Sequence, residues 1–235
     1  MYTLDCEEPH NPKAHLDPQF LDQQACNRPA GGKQSRNNRT AFDVWQDTCQ
    51  KTTRDNRHED FVAHHREKYG TPLPVWAIVE LLSFGNLAHL VNMLKSTDRR
   101  RVASKFGIKN DYHFTSLNWA MVGLRNTCAH GSRLFNARLK HRVEVSPTTG
   151  VSNLIGHLFQ PTRPSRELQS TSYRAFAILA YFLRSHEVGS DWHRQLVTCI
   201  NSLPLIELTG ASAPLVTPES NMGFPRGWES LDLWQ

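Results

Sequence analysis

The sequence predicts an all-α protein, and three stretches carry that expectation. Apolar residues recur at helical steps at 75, 78, 79 and 82, and again at 87, 90, 91 and 94. A second stripe runs through Phe114, Leu117, Met121, Leu124 and Cys128, and a third through Leu168, Tyr173, Phe176, Leu179 or Ala180, and Leu183. Steps of three and four keep side chains on one face of a helix that turns about 100° per residue, whereas a half-buried strand alternates every second residue. With 235 residues, 39% of them hydrophobic and 21% charged, the chain suits one domain, or one with a small appendage. The expected organisation is a polar, loop-rich segment over 1–41 and a helical domain over 42–235.

In chain order, Met1 to Pro18 is polar, and Asn27 to Thr40 is a Gly/Asn/Arg-rich loop without apolar periodicity. Phe42, Val44 and Trp45 open a short apolar stretch. A helix is expected from about Glu59 to Tyr69, stopped by Gly70 and the Pro72/Pro74 pair. The stripe from Val75 to Leu94 shifts by one position near Gly85, which predicts a long buried helix kinked or broken at Phe84-Gly85-Asn86. Asp98 or Thr97 can cap a short basic helix, Arg99 to Phe106, closed by Gly107. The next helix, about His113 to Ala129, buries Phe114, Leu117, Met121, Leu124 and Cys128 and ends before Gly131, a suitable residue just past a helix end. A minor β-hairpin is expected near 143–151, then helices over about 165–186 and 191–201, the last capped by Ser190. The closing thirty residues are rich in Pro and Gly, yet Met222-Gly-Phe-Pro225, Trp228 and Trp234 predict that they pack on the protein.

Several function classes are excluded at this level. The longest uncharged apolar stretch, Leu81 to Leu94, is too short and too polar to span a bilayer. The first ten residues carry Asp5, Glu7 and Glu8 in place of a basic start and apolar core, so a cytoplasmic protein is expected. Cys6, Cys26, Cys49, Cys128 and Cys199 are odd in number and widely spaced, as reduced thiols would be. His58, Glu59, Asp60, His64 and His65 lack a metal-ligand spacing and read as solvated helix residues. No metal and no cofactor is expected.

The net charge of +5 is unevenly distributed. Between Lys95 and Arg142 there are eleven basic residues against Asp98 and Asp111, a net +9, and the remainder carries −4. A basic segment in a mildly acidic chain fits a phosphate-binding face, with Arg99, Arg100, Arg101 and Lys105 as candidate RNA contacts. A solvated helix face is the alternative.

Within that segment, Leu124-Arg-Asn-Thr-Cys-Ala-His130 pairs an arginine with a histidine. Five positions apart, they lie about 140° apart around one uninterrupted helix. They can serve one phosphate if the helix ends at Ala129 or His130, or if two copies of the segment meet across a dimer. Arg125 offers a planar fork of donors to a phosphate, and a histidine exchanges protons near physiological pH. That pairing suits RNA cleavage by attack of a ribose 2′-OH on the adjacent phosphorus, with no metal required. The plainer alternative is that Arg125 pairs with a carboxylate and His130 caps the helix end. Cys128, in the apolar stripe, is expected to be a small buried residue and not a nucleophile.

Three blocks of the chain resemble a known family: Phe61-Val-x-His-His-x-x-Lys-Tyr69, Leu73-Pro-Val-Trp-Ala-Ile-Val-Glu-Leu-Leu-Ser-Phe-Gly-Asn-Leu87, and Leu124 to His130 followed by Arg133-Leu-Phe-Asn136. They look like the Abi family of bacterial abortive-infection proteins, the AbiD/AbiF-like group, within the wider HEPN group of helical domains. The closing segment from Met222 to Trp234 is similar as well, so the resemblance covers about residues 15–235. It implies a HEPN-like helical bundle acting as a homodimer, with two Arg/His motifs facing each other. The implied activity is a metal-independent endoribonuclease of anti-phage defence that leaves a 2′,3′-cyclic phosphate. By this resemblance Arg125 holds the scissile phosphate, His130 acts as acid or base, and Asn126 orients one of them or the RNA. Arg133 and Asn136 would support the phosphate or the helix end. Glu80 and Ser83-Phe-Gly85 match the family too, as a helix packing and kink site.

The chain departs from the family's pattern twice. Members usually carry further helices before the segment matching His15-Leu-Asp-Pro18, so the expectation is a chain short of its usual beginning. Gly131 also stands where members often have a second histidine. The expected partners are RNA and a second copy of the chain, together with a non-coding RNA or an antitoxin. The alternatives are a non-catalytic RNA-binding or regulatory protein of a defence system, or an inactive truncated remnant.

Overall fold

The computed structural model describes residues 11–30, 39–141, 153–159, 170–186, 189–204 and 216–235. They form an all-α structure: strand pairing among the described residues is limited to three isolated bridges. The hairpin expected near 143–151 lies outside the described residues. The chain divides into two compact units, residues 1–99 and 100–235.

In the first unit, a short helix α1 (Gln23–Cys26) precedes α2 (Ala41–Asp55). Thr40 and Asp43 start α2 reciprocally: the Asp43 N–H donates to Thr40 Oγ1 at 3.1 Å, and the Thr40 N–H donates to Asp43 Oδ2 at 2.7 Å. Such a box satisfies two N–H groups that a helix start leaves without partners. The sequence reading stopped at a short apolar stretch here; the structure shows fifteen helical residues burying Trp45 and Cys49, one turn apart. Trp45 Nε1 donates to the His15 carbonyl at 2.7 Å, which ties the N-terminal segment to α2.

α3 (Asp60–Tyr69) stops at Gly70, as expected. The stripe from Val75 to Leu94 forms two helices, α4 (Val75–Leu81) and α5 (Phe84–Met93). The break comes at Leu82-Ser83, earlier than the expected Phe84-Gly85-Asn86, because Ser83 Oγ accepts the Asn86 N–H at 3.2 Å and starts a new helix there. Gly85 simply sits in the first turn of α5. Leu21, Trp45, Val62, Leu73, Ile78 and Met93 converge in this unit's core, each large aliphatic side chain contributing about 1.5–3 kcal/mol by leaving water.

α6 (Ser96–Lys105) carries the basic residues. It ends at Gly107, whose φ of 66° is left-handed, and Tyr181 Oη donates to the exposed carbonyl of Phe106 at 2.6 Å. α7 (Asp111–Ala129) begins two residues before the expected start, where Asn110 Oδ1 accepts the N–H groups of Tyr112 and His113 at 2.8 and 3.3 Å. Phe114, Leu117, Met121 and Leu124 are buried, as the stripe requires. α8 (Ser172–His186) packs along α7 and is buried through most of its first ten residues. The expected start of that helix, near 165, lies outside the described residues. α9 (Trp192–Asn201) has Asp191 rather than Ser190 at its N-cap, without a side-chain cap bond.

The closing segment packs as expected. After α10 (Pro218–Met222), Phe224, Trp228 and Trp234 are each at most 3% exposed. Their rings form a chain from Tyr173 on α8: Tyr173 to Phe224 at 4.7 Å, Phe224 to Trp228 at 4.6 Å, and Trp228 to Trp234 at 5.4 Å between centroids. Tilted and edge-on pairs of this kind add to the burial of large aromatic surface. No helix among the described residues is long and apolar enough to cross a membrane.

Candidate functional site

The end of α7 is built to present side chains to solvent. Residues 120–124 are buried, whereas Arg125, Cys128, Ala129, His130, Gly131, Ser132 and Arg133 are exposed and Asn126 is half-buried. Gly131 takes a φ of 61°, the Gly131 N–H donates to the Cys128 carbonyl at 3.0 Å, and the Ser132 N–H donates to the Thr127 carbonyl at 3.0 Å. This pair of bonds is the Schellman closure, in which a left-handed residue satisfies the last carbonyls of a helix. His130 is the C-cap residue, with φ −89° and ψ 7°, and its N–H still donates to the Asn126 carbonyl at 3.0 Å. The requirement for a left-handed residue accounts for glycine at position 131: any side chain would be strained there, although a Cβ would meet nothing within 4 Å.

Arg125 Nη1 donates to Asn126 Oδ1 at 3.1 Å. Around the helix, Asn126 lies about 100° and His130 about 140° from Arg125, so Asn126 sits angularly between the two. The bond draws the Arg125 guanidinium to the Asn126 side of the helix, and a guanidinium carries further N–H donors beyond the one used.

Beyond the helix end, Arg133 is exposed and Asn136 adopts a left-handed φ of 51°, a conformation asparagine tolerates. The following segment is fastened to the start of α8. Ser172 Oγ donates to the Leu134 carbonyl at 2.8 Å, and the Leu139 N–H donates to the Ser170 carbonyl at 2.8 Å. His141 then folds back onto α7, its ring 4.9 Å from that of Trp119 and against Gly123. Leu134 and Leu139, on either side of Asn136, thus anchor the peptide that leaves the motif.

The basic residues of α6 divide. Arg100, Arg101 and Lys105 are exposed, with Arg100 Nε 3.5 Å from Asp111 Oδ1. Arg99 is only 17% exposed at its side chain, and its Nη1 donates to the carbonyls of Asn92 and Leu94 at 3.0 and 2.8 Å, satisfying the end of α5. Cys128 corrects the sequence reading: it is exposed, one turn beyond Leu124, because the last turn of α7 runs past the core. Among the described residues no group of three or more His, Cys, Asp or Glu is arranged to hold a metal ion.

Of the twelve histidines, several are withdrawn into the protein. Burial pushes both His15 and His157 down to about 4, His157 also under the influence of the Arg174 guanidinium. His113, on α7 itself, is likewise buried and lowered. His130 instead stands exposed at a helix end.

A family model described as Abi-like protein matches residues 1–136, more than half of the chain and the whole of the segment from Arg125 to Asn136. No curated protein and no solved structure matches the chain.

Proposed function

Since this chain belongs to the Abi-like protein family, we propose that it serves abortive-infection defence as a HEPN-type endoribonuclease whose catalytic groups are Arg125, His130 and Asn126. What supports this reading is an exposed Arg125, bonded to Asn126, on the last turns of a helix that a Schellman closure ends at an exposed His130.

The chemistry follows from those groups. The ribose 2′-oxygen attacks phosphorus, the bond from phosphorus to the 5′-oxygen breaks, and a 2′,3′-cyclic phosphate and a free 5′-hydroxyl result. One imidazole takes the 2′-OH proton and another gives a proton to the leaving 5′-oxygen. Two copies of the motif facing each other in a homodimer supply both imidazoles. Arg125 stabilises the charge gathering on the phosphorane oxygens. Arg100, Arg101, Lys105 and Arg133, all exposed, extend the cationic surface along the RNA backbone.

The test is cleavage of labelled RNA in EDTA by wild type, Arg125→Ala and His130→Ala, with the oligomeric state followed by sedimentation. The expected loss is about 10²–10⁴-fold for either variant. Undiminished cleavage by His130→Ala would overturn the mechanism. RNA retention without cleavage would favour a binding module.

A further inference from the structure

One face of α7 carries aromatic rings along its whole length. Eighteen residues make about five full turns of a helix, so Tyr112 and His130 lie at the same angle, about 27 Å apart along the axis. His130 keeps that phase, because its N–H still bonds to the Asn126 carbonyl at 3.0 Å. Trp119, Gly123 and Asn126 fall within about 40° of the same line. All of them belong to the compact unit of residues 100–235.

The aromatic residues of this face reach solvent. Tyr112 is 59% exposed at the start of the helix, Trp119 is half-buried, and His130 is exposed at the helix end. Between them, Gly123 leaves a notch that a ring from the following segment fills. His141 Cδ2 lies 3.5 Å from where a Cβ at residue 123 would stand, and the His141 ring pairs with that of Trp119 at 4.9 Å between centroids, the planes tilted by 35°. His141 is half-buried as well. The order along the axis is therefore Tyr112, the Trp119–His141 pair, and His130, with about 10 Å from Tyr112 to Trp119 and again from Gly123 to His130.

Charge along the same stretch suits a polyanion. From Tyr112 to Val143 the chain has no Asp or Glu, and it carries Arg125, Arg133, Arg138, Lys140 and Arg142. The one carboxylate of α7, Asp111, is met by Arg100, whose Nε lies 3.5 Å from Asp111 Oδ1. Lys140, next to His141, is exposed. Exposed rings alone would suit several occupants. Rings in series, within a stretch that has cations and no carboxylate, suit a strand that offers flat bases and phosphates together.

We infer that this face of α7 is a stacking track for unpaired RNA, on which Tyr112 and the Trp119–His141 pair take the bases flanking the bond presented to His130, while Arg100 and Lys140 meet the phosphates. A track of about 27 Å holds about eight nucleotides at a stacked spacing of about 3.4 Å. Every base has a flat face, so stacking tolerates any sequence. A duplex keeps its bases stacked inside and cannot use such rings. The track rests on the endoribonuclease reading for what happens at His130, whereas the binding itself does not.

Fluorescence anisotropy of the full chain with a labelled, unpaired 2′-O-methyl oligonucleotide of about twelve residues tests it, since that probe lacks the attacking hydroxyl and stays intact. It is expected to bind at least about tenfold more tightly than a strand of the same length and charge without bases. Tyr112→Ala is expected to weaken the oligonucleotide by at least about fivefold, with the baseless strand and the melting temperature unchanged, and Tyr112→Phe to keep wild-type affinity because the ring remains. Tyr69→Ala removes a ring that is 61% exposed in the other unit and is expected to bind like wild type. No binding of the oligonucleotide, equal affinity for the baseless strand, undiminished binding by Tyr112→Ala, or an equal loss in Tyr69→Ala would each overturn the proposal. Cleavage of unmodified RNA is read separately. If wild type does not cleave while the binding pattern holds, the track stands and the endoribonuclease reading falls; if wild type cleaves while Tyr112→Ala binds undiminished, the track falls and the endoribonuclease reading stands.

Discussion

Ser132 and Thr127 are joined by a 3.0 Å bond from the Ser132 N–H to the Thr127 carbonyl, and this closure sets where His130 leaves α7. It holds only while Gly131 stays left-handed. Gly131→Ala introduces no clash but disfavours that conformation, so it is expected to cost about 1 kcal/mol. Thermal unfolding should show a fall of about 2–4 °C. RNA cleavage should fall further than the lost folded fraction accounts for, because the imidazole is misplaced.

Asn126 Oδ1 holds the Arg125 guanidinium by a hydrogen bond, so Asn126→Ala is expected to leave the fold intact and free the guanidinium to rotate away. Cleavage should drop by about tenfold or more, less than in Arg125→Ala, since the charge remains but its placement is lost. Single-turnover kinetics with labelled RNA checks this. Equal rates for Asn126→Ala and wild type would remove Asn126 from the site.

Gly223 fixes the closing segment against α8. Its φ is 80°, and a Cβ there would lie 2.7 Å from Thr171 Cγ2 and Oγ1 and 2.8 Å from Thr171 Cβ. Gly223→Ala therefore combines backbone strain with a clash against a buried β-branched residue, and is expected to cost about 2–4 kcal/mol in urea unfolding. Adding Thr171→Ala should recover only part of that loss, because Thr171 Cβ stays where it is. A double-mutant cycle measures the coupling.

His157 makes stability depend on acidity. Burial, and to a lesser degree Arg174, hold its folded pKa at about 4, below the ordinary 6.5, and Tyr173 Oη lies 2.6 Å from its Nε2. The unfolded chain then binds the extra proton more readily, so this contribution is complete above about pH 6.5 and is lost as pH falls toward 4. His15 acts in the same direction. Melting temperatures measured across pH 7 to 4 should fall steadily. In a folded His157→Gln the fall should be shallower.

The all-α class, the Gly70 and Gly107 helix stops, the buried stripe of α7 and its end at Gly131 are each legible in the sequence, because they rest on local periodicity and on glycine's left-handed freedom. The fifteen-residue α2 was legible in principle from Thr40 and Asp43 at capping-box spacing. It was missed because its apolar face is narrow, with only Trp45 and Cys49 buried. The break before α5 falls at Ser83 and not at Gly85, because the Ser83 hydroxyl makes the cap and a glycine has no side chain to do so.

By itself the sequence determined that Arg125, Asn126 and His130 occur together at a helix end inside a basic segment, since composition and spacing are one-dimensional properties. Tertiary structure decided how each side chain is used. It committed Arg99 to the carbonyls of Asn92 and Leu94, left Cys128 in solvent, and buried His15 with neither ring nitrogen paired among the described residues. Those outcomes depend on which polar groups burial leaves to be satisfied and by whom, and that is settled only when distant segments meet.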